Sequence, residues 1–177
     1  MLQAKGCRSR MSTNGGSRTR VRSDVGVAAE LTQLMAEIDA GFFCGDDRGF
    51  ADAYWKRYLQ PEIERLFDPM VAFHSHFEGR EGRSLFIGHA GLRQWADDIF
   101  ECYSRFRRRN EDWESPREDA LLVHQRIEAT GRDSGAEIEI GLWILWTIDR
   151  GRVSQLRTFA DRYEALAAAG AVQVSHT

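Results

Sequence analysis

The sequence predicts an α+β fold, with helices packed on one face of a curved antiparallel sheet. Three observations predict it. Apolar residues recur at helical spacing through the first part of the chain, strict alternation replaces that spacing in the last third, and a short capped helix closes the pattern. Helices followed by strands, without regular βαβ alternation, point to α+β rather than α/β. With 177 residues, 42% of them hydrophobic, the chain is long enough for one well-packed domain and short for two.

The elements follow in order. Residues 1–23 hold Lys5, Arg8, Arg10, Arg18, Arg20 and Arg22, no acid and few apolar residues, so they are expected to form a disordered basic tail. The segment lacks the apolar stretch of a secretory signal. Its Arg- and Ser-rich composition is also that of transit peptides, but a solvated tail, or an upstream start with Met11 as the alternative beginning, is the simpler reading. The folded domain is expected over 24–172, followed by a disordered tail at 173–177. Val27, Leu31, Leu34, Met35 and Ile38 mark a first helix that Gly41 stops, and Phe50, Tyr54, Tyr58 and Leu59 share one face of a second that Pro61 ends or kinks. "MVAFHSHFE" reads as a strand and "GREGRS" as a loop. "GHAGLRQWADDIFECYSRFRRR" reads as one helix with the stripe Leu92, Trp95, Ile99, Tyr103 and Phe106, its basic end facing the negative pole of the helix dipole. Three strands are then expected: "DALLVHQRIEATG", "SGAEIEIGLWILWTID" and "RVSQLRTFA", the last two joined by a "DRG" turn. Asp161 is the expected N-cap and Gly170 the stop of the final helix.

Charge and cysteines exclude several classes. A net charge of −3 gives no reason to expect a nucleic-acid or membrane partner. No apolar run approaches the ~20 residues that span a bilayer. Cys7, Cys44 and Cys102 are an odd set at unrelated spacings, so neither a disulfide framework nor a zinc site is expected, and a cytoplasmic location is the default.

Several motifs resemble a known family. "GHAGLRQWADDI" resembles the helix start of SnoaL-like domains, "LFDPMVAFHS" their first-strand entry, and "WTIDRGRVSQLRTFADRYEALAAAG" their C-terminal hairpin, strand and helix. The resemblance covers residues ~28–172 and is most specific at the C-terminal motif. It implies the cone-shaped α+β barrel of the nuclear transport factor 2-like superfamily, a curved antiparallel sheet wrapped around N-terminal helices and enclosing an apolar cavity. That superfamily includes polyketide cyclases, ketosteroid isomerases, epoxide hydrolases and non-catalytic binding modules, so fold alone does not select function.

Within that shape, alternation puts Ile138, Ile140, Leu142, Ile144, Trp146 and Ile148 on the cavity face of the long strand, and leaves Trp143 and Leu145 outward, toward solvent or a second subunit. The catalytic acid of ketosteroid-isomerase-like members would fall near Ile144 and the aspartate of epoxide-hydrolase-like members near Thr158, and neither acid is present. The family's polar position on the first strand falls near His74, a candidate general base. Tyr54 and Tyr58, one helical turn apart, are candidate hydrogen-bond donors. Trp95, Ile99, Ile144, Trp146 and Thr158 are candidate substrate contacts. Each has an alternative: His74 as a hydrogen-bonded pocket or core histidine, the tyrosines as packing residues, the tryptophans as core and dimer surface. Asp161 can be read as a base, but its place before a helix favours the cap. His74 and His76, at i and i+2, could chelate a metal, but the third candidate, Glu78, falls at the loop edge and His89 and His124 show no ligand spacing, so no metal and no cofactor are expected. The expected partner is a hydrophobic cyclic or polyketide-like small molecule, with homodimerisation through the outer sheet face. The reading leaves two functions: a cofactor-free isomerase, cyclase or hydrolase using histidine acid/base chemistry, or a non-catalytic ligand-binding or interaction module.

Overall fold

The structure, a computed structural model, describes residues 26, 28–31, 33, 52, 55–77 and 82–171. The expected tails at 1–23 and 173–177, with Cys7 and Cys44, lie outside them. The described residues of the first segment are helical, and Leu31 is fully buried. A π-helical turn, Trp55–Leu59, runs into α1, Gln60–Leu66, where Pro61 sits in the first turn. Strand β1, Phe67–His74, follows directly. Then come β2, Leu85–Ile87; α2, Gly88–Cys102; β3, Tyr103–Arg117; β4, Ala120–Gly131; β5, Glu137–Asp149; β6, Arg152–Phe159; and α3, Arg162–Ala168.

The six strands form one curved, unclosed sheet in the order β2-β1-β6-β5-β4-β3. Its pairs are antiparallel except for β1 with β6, which run parallel. The inner face carries two merging cores. Phe67, Val71, Phe73, Leu121, Val123 and Trp146 lie in one; Leu59, Ile99, Phe106, Ile127 and Leu142 lie in the other.

Two elements differ from the sequence expectation. The helix that was expected to run through "RFRRR" ends at Cys102, and Tyr103–Arg117 is a fourth long strand. Phe106 satisfies helical and strand spacing equally, and what decides is β4. Arg107 and Arg109 form ion pairs with Glu128 on that strand, a cross-strand arrangement unavailable to an isolated helix. The helix C-terminus is instead covered by Arg132, whose Nη2 donates to the carbonyls of Phe100 (2.8 Å) and Tyr103 (3.0 Å). The outer face of β5 also differs from expectation. Leu145 is buried under α3 with Ala165 and Ala169, so this part of the sheet is covered by the chain's own C-terminal helix.

Other local expectations hold. Asp161 caps α3, its Oδ1 accepting from the N–H groups of Tyr163 (2.8 Å) and Glu164 (3.1 Å). The β5–β6 hairpin turns through Arg150 (φ 52°) and Gly151 (φ 73°), the double positive φ of a type I′ turn. The two glycines of "GHAG" are steric necessities. Gly88 has φ 71°, and a Cβ there would lie 2.7 Å from the Pro69 carbonyl oxygen; at Gly91 a Cβ would lie 2.9 Å from the Phe86 carbonyl carbon. The start of α2 therefore sits directly against β1 and β2.

Candidate functional site

The concave face of the sheet, α2 and the π-turn–α1 segment enclose a cavity of about 120 Å³. Its walls are overwhelmingly aromatic and aliphatic. The sheet contributes Phe73, Phe106, Ile127, Leu142, Ile144 and Trp146, and the helical side contributes Trp55, Leu59, Ile63, Leu92, Trp95 and Ala96. The rings meet edge to face: Trp95 with Phe73 (centroids 5.2 Å, 76°) and with Phe106 (6.4 Å, 84°), and Phe67 with Trp146 (5.7 Å, 62°). Trp55 is held from outside by Arg93, whose guanidinium lies 5.3 Å from its ring centroid while pairing with Asp97 and Asp52. Burial pulls the Arg93 pKa down, but the hydrogen bonds and charges of those two carboxylates outweigh it, so the net shift is upward.

Polar groups on the described wall are few, and most are committed. Ser75 Oγ accepts from Trp95 Nε1 (3.1 Å) and from the Phe77 N–H (3.1 Å). Thr158 Oγ1 donates to the His74 carbonyl (3.0 Å). Gln125, only 2% exposed, donates from Nε2 to Asn110 Oδ1 (2.6 Å). The Trp146 Nε1–H is buried and has no hydrogen-bond partner among the described residues. The two charged lining residues among those described are Glu62 and Arg108.

The candidates from the sequence separate into groups. Trp95, Ile144, Trp146 and Thr158 all line the cavity, and Ile144 and Thr158 are direct cross-strand partners. The two positions where relatives were expected to carry acids are thus adjacent in space and occupied by an alkyl group and a hydroxyl. Ile99 is buried with Phe106 and Ile127 rather than on the cavity wall. Tyr54 lies outside the described residues, as does the side chain of Tyr58. His74 is exposed and does not line the cavity; Phe73, Ser75 and Phe77 do. The expectation of an inward His74 is therefore corrected by one residue. In "VAFHSHF" the apolar residues fall at 71, 73 and 77, so the strand's own alternation already turns both histidines outward. Ser75, Gln125 and Arg108 were missed. Arg108 was hidden inside a segment read as helix, and Gln125 was legible as the polar residue among alternating Leu121, Val123 and Ile127.

Among the described residues no group of three His, Cys, Asp or Glu side chains is arranged to hold a metal ion, and no helix is long and apolar enough to cross a membrane. No protein-family model and no curated protein matches the chain. Solved structures do. Bal32a, from a soil-derived mobile gene cassette, superposes with a TM-score of 0.56 at 16% identity, covering 80% of this chain and 95% of that one. TerC, co-crystallised with polyporic acid, gives 0.54 at 16% identity, covering 80% and 98%. A candidate SnoaL-like polyketide cyclase from Jannaschia sp. CCS1 gives 0.52 at 18% identity, covering 90% and 100%. The chain therefore has the SnoaL-like, nuclear transport factor 2-like α+β fold that its sequence motifs resemble.

Proposed function

We propose that the protein binds a hydrophobic, ring-containing small molecule in the cavity beneath α2. The observation that carries this reading is the cavity itself: aromatic walls, a handful of polar atoms, and a volume near the ~150 Å³ at which an apolar cavity takes up benzene. TerC, of the same fold, was crystallised with polyporic acid, which is in keeping with a cyclic ligand.

Binding is favoured over acid/base catalysis by the placement of the titratable groups. The His74 imidazole is on the outside of the sheet, and the Glu62 carboxylate accepts from Arg65 Nε (2.8 Å) and Nη2. The Ser75 and Thr158 hydroxyls serve structural hydrogen bonds. An isomerase or cyclase would need a base, and the carboxylate that lines the described wall, Glu62, is held by Arg65. Homodimerisation belongs to the same proposal. With Leu145 covered by α3, its contact would use the remaining exposed apolar residues, which include Met70, Leu85 and Ile87.

The test is titration of the protein with 1-tetralone, a neutral cyclic ketone, read by the fluorescence of the cavity tryptophans. Saturable quenching that is abolished in a folded Ala96→Phe variant, which fills the cavity from α2, is the expected result. Quenching that survives in Ala96→Phe, or no binding by any neutral ring compound, would sink the reading.

A further inference from the structure

The inward row of β4 reads Leu121, Val123, Gln125 and Ile127, and Gln125 is its polar member. A buried carboxamide in that row departs from the binary pattern of the strand, and such departures concentrate at functional positions. Gln125 is only 2% exposed, and it lines the cavity. Burying an amide without partners costs free energy, so its hydrogen bonds have to be accounted for. A glutamine side chain has two N–H donors and a carbonyl acceptor. One donation is made, from Nε2 to Asn110 Oδ1 at 2.6 Å across the β3–β4 pair. Among the described residues nothing donates to Gln125 Oε1.

That oxygen is not sealed inside the protein. Among the described residues Trp146 Nε1 is the side-chain polar atom that is both fully covered and unpaired. Gln125 Oε1 is unpaired without being covered in that way, so it keeps some surface, and the wall that Gln125 belongs to is the cavity wall. Leu142 is the cross-strand partner of Gln125 and Ile144 follows on the same face of β5, so alkyl groups border the carboxamide on that side. Arg108, on the β3 side, already has an interaction partner within the protein. What this part of the wall offers a ligand is therefore a neutral acceptor. In a low-dielectric chamber such an oxygen takes an O–H donor and repels an ionised oxygen.

We infer that the ligand carries a neutral hydroxyl on its ring, a phenol or an enol, which donates to Gln125 Oε1 while the ring lies over Leu142 and Ile144. Gln125 is then the residue that sets specificity. A site built to pair with a hydroxyl discriminates against an analogue that lacks it, because the buried acceptor is left unpaired. This rests on the reading of the cavity as a ligand site, and it adds the ligand's polar group and its orientation.

Isothermal titration of the full chain with phenol and with toluene, which has a methyl group in place of the hydroxyl, separates the two levels. In a purely apolar chamber the unpaired hydroxyl makes phenol the weaker ligand by about tenfold or more. The expected result is phenol bound at least as tightly as toluene. Gln125→Leu should keep toluene binding, which also shows that the variant is folded, and should weaken phenol by about tenfold or more. If the leucine variant does not fold, the side-chain amide resonance of Gln125 in the unmodified protein is the readout, and it should move further with phenol than with toluene. Toluene bound more tightly than phenol by the unmodified protein would overturn the inference and leave the cavity reading intact. Phenol binding that is unchanged in Gln125→Leu, or equal amide shifts with the two compounds, would also overturn it. Binding of neither compound would remove the cavity reading and this inference together.

Discussion

The Trp95 indole N–H donates to Ser75 Oγ at 3.1 Å, tying the middle of α2 to the end of β1 across the cavity wall. The same oxygen accepts from the Phe77 N–H. One hydroxyl therefore aims the largest side chain of α2 and turns the chain beyond the strand. Ser75→Ala removes the acceptor for both donors in a nearly closed site, and it is expected to destabilise the protein by about 1–3 kcal/mol. His74→Ala, next door but outward, is expected to stay within about 0.5 kcal/mol. Urea unfolding of the two variants checks the pair. The opposite ranking would mean that the β1 register is shifted by one.

Gly88→Ala should rank among the most damaging single-methyl additions. The residue has φ 71°, and the new Cβ would lie 2.7 Å from the Pro69 carbonyl oxygen. The left-handed conformation alone disfavours alanine by about 1–2 kcal/mol, and the backbone clash adds to it. Denaturant unfolding should show a loss of about 2 kcal/mol or more. A change of a few tenths would mean that α2 does not begin against β1.

Arg150→Gly is expected to raise stability. Arg150 takes φ 52° as the first turn residue of the β5–β6 hairpin, ahead of Gly151. Relief of that backbone conformation is opposed by the larger entropy of a glycine in the unfolded chain. Arg150→Asn supplies the Asn-Gly pair that type I′ turns prefer, without the full entropic penalty, and should gain about 0.5–1 kcal/mol. Thermal melting of both variants, with Asn above Gly, is the expected order.

Acid should loosen the β3–β4 ladder before the cavity core. The Glu128 carboxyl is held below the usual range by its hydrogen bond from Arg109, with the charges of Arg107 and Arg105 adding to it. A depressed carboxylate pKa contributes stability that is fully present above the unfolded value of ~4.3 and is lost as pH falls through the lower folded value. Glu128→Gln removes that contribution, so the stability difference from the unmodified protein should narrow as pH drops below about 4. A difference that is flat across that range would show that the ion pairs do not couple to folding.

Much of the architecture was legible because it rests on local rules. The Asp161 cap, the Arg150–Gly151 turn and the inward alternation of Leu142, Ile144 and Trp146 all follow from the residues within a few positions of each. β3 was not legible, since Tyr103 and Phe106 fit a helix or a strand and only Glu128 and the rest of β4 decide between them. His74 is the converse case. The local alternation of Val71, Phe73 and Phe77 places it outward, one residue away from the inward position that the family resemblance implies.

The sequence by itself determined the class of fold, the order of most elements and the apolar face of β5, because periodicity and turn chemistry are properties of neighbouring residues. Only the tertiary structure decided that Arg108, Ser75 and Gln125 share a chamber, and that α3 rather than open space covers Leu145. Those facts depend on which strands pair and in what register. That choice is made by contacts between residues far apart in the chain, and a single step of register exchanges one face for the other.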